Sequence, residues 1–369
     1  MSAVETAAAS DAAARHLAAR ADELREKHGR LRELLDARGA RSIVLDGQPS
    51  LAWLLAGARV HVSLAAPPIA HAVVDHDGIT VHTTANERAR LVEEELPPGI
   101  EVVAVPWHEV AQRRPTDSGQ LRESAVEHEL AALRRRLLPA EHDRYRALGA
   151  DAAKVVGDVL RAARPEDSEA LIAARVAAGI VELGAEPLVT LVAGAGRVAH
   201  RHPLPGTGPL GRRAMVVVCA RRRGLIANLT RWVRFDEAPR AERDAERRIL
   251  DVEAAAFAAL VPGRPYSEVF DELRRAYAAH GFDRDEWGSH HQGGPAGYAG
   301  RDPRLGPGVA GTVEAGQAFT LNPSAPGVKV EDTVLVTGDL GQTVEPITVD
   351  AEWPSAIVAG IARPLVLER

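Results

Sequence analysis

The sequence predicts an α+β protein of two domains, and three observations carry that prediction. Its 369 residues exceed what a single core ordinarily holds. Up to about residue 115, short apolar runs alternate with helical patterns, as in a small α/β domain. Over residues 140–369 the order is helix, helix, β, helix, helix, β, an α+β arrangement. The polar, Gly- and Pro-bearing stretch QRRPTDSGQLRES lies between. The expected division is therefore a first domain over 1–115, a linker and connecting helix over 116–139, and a second domain over 140–369.

In chain order, residues 12–39 form an amphipathic pattern through Leu17, Leu24, Leu31, Leu34 and Leu35, with Gly39 as the stop. RSIVLDG follows as a strand, LAWLLAGARVHVS and IEVVAVPW as strands or short helices, and ANERARLVEEELP as helical. IAHAVVDHDGITVHTT has a D-G pair between two β-branched runs, which predicts a hairpin. A long helical stretch from residue 125 breaks at Pro139, and residues 167–185 predict a second helix. LVTLVAG and AMVVVCARRRGLIANLTRWVRF read as strands, the second as a hairpin. Two helices follow over 240–261 and 266–281, and QAFTLNP and VKVEDTVLVT end the pattern as strands.

Composition narrows the function. With 46% hydrophobic and 26% charged residues the chain reads as an ordinary globular protein. Its net charge of −6 and lack of a basic block argue against a nucleic-acid partner. No run of about 18 apolar residues predicts a membrane span. The Ala-rich start carries acids and arginines throughout and does not read as a signal peptide. The single cysteine, Cys219, excludes a disulfide within the chain, and a cytoplasmic location is expected. Only Lys27, Lys154 and Lys329 are lysines among 45 basic residues, which singles each of them out.

Four segments carry candidate chemistry: His200 to Pro205, Cys219 to Arg231, Trp287 to Arg301, and Asn322 to Thr333. Each has a bland reading. The histidines beside prolines serve as turn residues, Cys219 within a valine run as a small hydrophobe, Gly293 and Gly294 as a backbone bend, and Lys329 with Glu331 as a solvated strand edge. Taken together they favour a pocket. Strand alternation puts Lys329 and Glu331 on one face. His202, His291 and Glu331 are groups able to move protons, and the paired glycines admit a ligand close to the backbone.

The order and spacing of these segments resemble the peptidase family that contains methionine aminopeptidase, Xaa-Pro aminopeptidase, prolidase and creatinase. NLTR matches the family's Asp-x-Thr-Arg, QAFTLNPS its apolar-Thr-Ile-Glu-Pro strand, and VKVEDTVLVT its Arg-x-Glu-Asp-Thr-x-x-Val strand. The resemblance covers nearly the whole chain and implies a creatinase-like N-terminal α/β domain followed by a pita-bread domain. The family binds two divalent metals with Asp, Asp, His, Glu and Glu. Carried over, the second Asp is Asn228, the His is His291, the first Glu is Asn322, and the last Glu is Glu331. The first Asp falls on Val217 or, with a hairpin turn two residues shorter, on Cys219, which strand parity allows. The charge of two divalent ions then exceeds what remains to hold them, so the resemblance implies a site without metal or cofactor.

Creatinase is the family's precedent for metal-free cleavage of a C–N bond, and its proton-shuttling histidine matches His202, followed by Pro205. The leading expectation is thus a metal-independent hydrolase or lyase of a small polar metabolite. In it His202 is the general acid/base, and His291 and Glu331 orient water or substrate. Lys329 and Arg301 bind a carboxylate. Tyr298, Gln292, Asn322, Asn228 and Cys219 line the substrate's site, with Tyr298 at the position of the family's second histidine. Two rival expectations are an Xaa-Pro dipeptidase with a degenerate metal site and a non-catalytic binding protein on the same scaffold. Creatinase-type relatives also imply a homodimer, with residues 50–65 near the partner's pocket.

Overall fold

The computed structural model describes residues 3–109, 119–338 and 343–369 and, in the first helix, the side chains from Leu17 onward. The chain divides into two compact units, Met1–Arg134 and Arg135–Arg369.

The first unit opens with α1 (Ala3–Arg38), which begins well before residue 12 because the Ala-rich segment holds no helix breaker. Leu24, Leu31, Leu34 and Leu35 are buried, whereas Leu17 is exposed. Lys27 is buried too, its Nζ donating to Glu23 Oε1 at 2.5 Å and to Trp53 O at 2.7 Å. There follow β1 (Ser42–Leu45), α2 (Gln48–Leu54), β2 (Ala70–Asp75), β3 (Ile79–Thr84), α3 (Ala85–Arg90), β4 (Glu101–Val105), β5 (Gln120–Arg122) and α4 (Glu127–Arg135). The D-G hairpin forms as read: β2 and β3 are antiparallel, and Asp75 Oδ1 accepts from Asp77 N and Gly78 N. The sheet order is β4-β3-β2-β1-β5. β5 falls in the segment expected as linker, yet it pairs in parallel with β1. Glu123 fixes it there, its carboxylate accepting from Asp46 N and Gly47 N at 2.8 Å and from Ser50 Oγ at 2.5 Å. The expected linker's residues 116–118 lie outside the described residues.

The second unit continues with α5 (Pro139–Ala162), whose proline sits in its first turn, and α6 (Glu169–Glu182), capped by Ser168. Next come β6 (Glu186–Gly194), β7 (Arg213–Arg222), β8 (Leu225–Arg234), α7 (Arg240–Ala258) and α8 (Tyr266–Ala279). The remaining strands are β9 (Gly293–Ala296), β10 (Ala318–Leu321), β11 (Ser324–Ala325), β12 (Val328–Lys329), β13 (Asp332–Val336), β14 (Val344–Pro346), β15 (Ser355–Val358), β16 (Ile361–Pro364) and β17 (Leu367–Glu368). β7 and β8 pair from Arg213↔Arg234 to Arg222↔Leu225 around a two-residue turn, with Arg223 and Gly224 both at positive φ. β11-β12 and β15-β16 form two-stranded ribbons; one four-stranded sheet runs β17-β8-β7-β6 and the other β14-β13-β10-β9. The two meet where Asn228 N donates to Thr333 Oγ1 at 2.8 Å and Thr230 N to Glu331 O at 2.9 Å. Phe257, Tyr277, Phe319 and Val334 lie in the core packed around α7 and α8. Burying a large apolar side chain of this kind contributes about 1.5–3 kcal/mol. No helix among the described residues is long and apolar enough to cross a membrane.

Candidate functional site

The seam between the two sheets opens into a cavity of about 690 Å³. Period-two alternation aims the side chains. Val217 and Cys219 of β7 both line it, level with Thr230 and Asn228 of β8. Asn322, just after β10, Lys329 of β12 and Glu331, just before β13, reach it from the other side, and His202, His291 and Arg301 from loops.

Glu331 organises the electrostatics. Its Oε1 accepts from Arg301 Nη2 at 2.8 Å, and its Oε2 accepts from Lys329 Nζ at 2.7 Å and Thr230 Oγ1 at 2.9 Å. Burial pushes this carboxyl up, but Lys329 and Arg301, with the hydrogen bonds from Lys329 and Thr230, outweigh it and hold the group at about 2. Lys329 and Arg301 were expected to bind a substrate carboxylate. Both line the cavity, yet their charges are spent on Glu331, a carboxylate of the chain itself.

The histidines form a second cluster. The rings of His202 and His291 stack at 5.9 Å, and His290 Nε2 lies 3.1 Å from His202 Nε2. Burial, then Lys329, lowers His202 below the usual imidazole range. Burial, followed by Lys329 and the neighbouring histidines, lowers His290 to about 3; burial, followed by Arg301, lowers His291 to about 4. All three are neutral at pH 7. His200, by contrast, is exposed and does not line the cavity. Burial, then Glu331, pushes the Cys219 thiol up to about 12, so it is a protonated wall of the cavity and supplies no thiolate charge.

Two expected substrate contacts lie elsewhere. Tyr298 is buried and donates to Glu141 Oε1 of α5 at 2.5 Å. Gln292 is also buried: its Oε1 accepts from Tyr277 OH at 2.8 Å, and its Nε2 donates to Trp287 O and His290 O. Both side chains are held by hydrogen bonds within the chain and neither lines the cavity. Gly293 and Gly294 serve the strands rather than a ligand: a Cβ on Gly293 would meet Thr320 O at 2.0 Å, and one on Gly294 would meet Pro303 O at 2.3 Å.

Sequence reasoning missed Arg304 and His290. Arg304 lines the cavity, is exposed, and has no ion-pair partner among the described residues, but no motif marks it. His290 adjoins a motif residue, which was the available signal. Four polar atoms of cavity-lining residues are buried without a hydrogen-bond partner: Thr190 Oγ1, His291 Nδ1, Arg301 Nε and Asn322 Oδ1. Each invites a group from a ligand.

The two divalent ions implied by the resemblance do not fit this donor set. At the five ligand positions stand Val217 or Cys219, Asn228, His291, Asn322 and Glu331. Asn228 Nδ2 already donates to Ile226 O and Thr320 Oγ1 at 3.2 Å, and Glu331 is already matched by two cations. A unit charge pair about 4 Å apart interacts by about 4 kcal/mol at an effective dielectric near 20. Two dications brought beside Lys329 and Arg301 multiply that repulsion, with no spare carboxylate at those positions to offset it.

The model for metallopeptidase family M24 matches residues 143–338. No curated protein matches the chain. Among solved structures, the Xaa-Pro dipeptidase from Bacillus anthracis is 17% identical, covering 94% of this chain and 100% of that one at a TM-score of 0.72. The prolidase from Pyrococcus horikoshii OT3 is 17% identical, covering 88% and 98%, at 0.71. The dipeptidase PepE from Mycobacterium ulcerans is 19% identical, covering 96% and 99%, also at 0.71. At these identities the likeness is one of fold.

Proposed function

The chain belongs to metallopeptidase family M24 and is a hydrolase of that family, and from this premise we propose that it cleaves a C–N bond in a small polar metabolite without a metal ion, in a creatinase-like manner and in the cytoplasm. The observation that carries the reading is Glu331, clamped by Lys329 and Arg301 inside the cavity, where fixed cations stand in place of metal charge. His202 is neutral at pH 7 and therefore able to accept a proton. Water adds to the carbon of the C–N bond and its proton passes to His202. The same proton is then delivered to the departing nitrogen, and His202 returns to its starting state. Glu331 and His291 orient the water or the substrate. Asn322 Oδ1 accepts an N–H of the substrate, and Arg304 receives an anionic group of it.

The likeness to structures described as a prolidase and an Xaa-Pro dipeptidase favours a second reading, a dipeptidase with a degenerate metal site. A panel of small guanidino, ureido and N-acyl compounds and Xaa-Pro dipeptides, assayed for amine release with and without EDTA, separates the two. Turnover indifferent to EDTA is expected. Xaa-Pro cleavage that appears only with added manganese or cobalt overturns the metal-free reading. On the substrate found, His202→Ala is expected to lower kcat by about 10²–10⁴-fold with affinity kept within about tenfold, and His200→Ala to be mild. Equal behaviour of the two variants rules out the shuttle. We further take the protein as a homodimer, supported by the exposed Val62 and Leu64 within residues 50–65. Light scattering at 39.4 kDa would count against it.

A further inference from the structure

His202, His290 and His291 each present one ring nitrogen within 4.8 Å of the others, the one such group of three potential metal-ligating side chains among the described residues. His202 Nε2 and His290 Nε2 are 3.1 Å apart. His290 is oriented from behind, its Nδ1 on Ser324 Oγ at 3.0 Å, the way a second hydrogen bond aims a ligating imidazole. His291 Nδ1 is buried without a partner. Two of the three residues, His202 and His290, stand at none of the family's ligand positions.

We propose that His202, His290 and His291 form a site for one zinc-like divalent cation, held by three imidazole nitrogens with its fourth position open to the cavity. Imidazole nitrogens bind zinc at about 2.0–2.1 Å, so a tetrahedral ion sets them roughly 3.3 Å apart. The His202–His290 pair is already near that separation. The widest pair need close by roughly 1.5 Å, and His202 is exposed on the loop between β6 and β7, which allows the movement. Glu331 attracts a cation here, while Lys329, Arg301 and Arg304 oppose it. With three cations set against one carboxylate, the site binds more weakly than that of a resident metal. Such an ion takes the lone pair of His202. Zinc therefore inhibits turnover, a consequence that rests on the proposed shuttle role, whereas the site itself does not.

The test is a zinc titration of chelator-treated full-length protein against a chromophoric chelator. One zinc per chain is expected, with affinity lowered about tenfold or more in His290→Ala and about tenfold in Ser324→Ala. Asn322→Ala, at a family ligand position, should leave it within about threefold. No binding, two ions per chain, or equal affinity in wild type and His290→Ala overturns the site. Should His290→Ala fail to fold, cobalt titration of the wild type decides. A visible band of a nitrogen-ligated ion, abolished by His202→Ala, supports the site, and no band overturns it. Inhibition at the zinc concentration that fills the site supports the shuttle as well. Filling without inhibition sinks the shuttle and leaves the site standing.

Discussion

Glu331 and Asp332 are consecutive, buried, and each paired with two cationic side chains, yet they belong to different kinds of cluster. Glu331 meets Lys329 and Arg301 on the wall of a cavity. Asp332 belongs to a buried network: Arg363 Nη2 donates to its Oδ2 at 2.6 Å, and Arg231 Nη2 and Thr348 Oγ1 donate to its Oδ1 at 2.9 and 2.6 Å. Arg363 also donates from Nε to Glu253 Oε2 at 2.7 Å. Asp332, Arg363 and Glu253 are at most 1% exposed. Similar ion pairing thus serves two ends. Around Asp332, whose carboxylate lines neither cavity, it locks β13 to β8 and α7; around Glu331, whose carboxylate is on a cavity wall, the same chemistry is available to a substrate. Buried charge by itself does not mark a site.

The sharpest way to break this comparison is Asp332→Asn. It strands Arg363 in the interior, with Glu253 its remaining acid, and leaves Arg231, which borders a second cavity, without its carboxylate. Removing one partner of a buried pair costs about 3–5 kcal/mol. The urea midpoint should fall accordingly, with kcat of the folded fraction little changed. Next in size is Glu331→Gln. Water in the cavity hydrates the stranded Lys329 and Arg301, so a smaller stability loss of about 1.5–3 kcal/mol is expected. Turnover should nonetheless drop about a hundredfold, equivalent to about 2.7 kcal/mol of barrier. Equal stability losses in the two variants, or unimpaired turnover in Glu331→Gln, would erase the distinction between the clusters.

The two clusters also show what the sequence makes legible. Period-two alternation placed Lys329 with Glu331, and motif spacing brought Asn228, His291, Asn322 and Glu331 to one cavity. These inferences travel along a strand, where geometry follows from counting. What each side chain touches across the fold does not. Tyr298 stands at a motif position, but its hydroxyl goes to Glu141, 157 residues away, a meeting decided by how α5 packs. Lys329 chose a partner two residues off over a ligand. His290 escaped because alternation in extended backbone sends neighbours to opposite sides, yet its ring lies 4.6 Å from that of His291. In the first unit the D-G hairpin was legible from local turn chemistry. β5 was not, because its place depends on Glu123 capping a turn 76 residues back in the chain.

The smallest expected effect concerns the neutral histidines beside the Glu331 cluster. His290 is buried and its folded value, about 3, lies below the usual 6.5. Between those values the unfolded chain binds a proton that the folded chain does not, so stability rises with pH across the window and is lost as pH falls from about 6.5 toward 3. One group contributes a slope of at most about 1.4 kcal/mol per pH unit, or about 1 kcal/mol between pH 6.5 and 5.5. Asp332's network has no histidine, but burial pushes its Glu253 carboxyl up to about 7, so between about 4.5 and 7 the folded chain holds a proton that the unfolded chain gives up, and this slope opposes that of His290. Urea unfolding at pH 7.0, 6.5 and 5.5 tests this: His290→Asn should lessen the decline and leave the part that His202 and His291 contribute, whereas Asp332→Asn should lower the whole curve and, by removing a charge that raises Glu253, steepen it. A wild-type decline no steeper than that of His290→Asn would mean that the imidazole cluster takes up protons in the folded protein. His202 would then be charged at the pH where a base must be neutral, and the pH dependence of turnover should show an acid limb near 6.5 rather than below it.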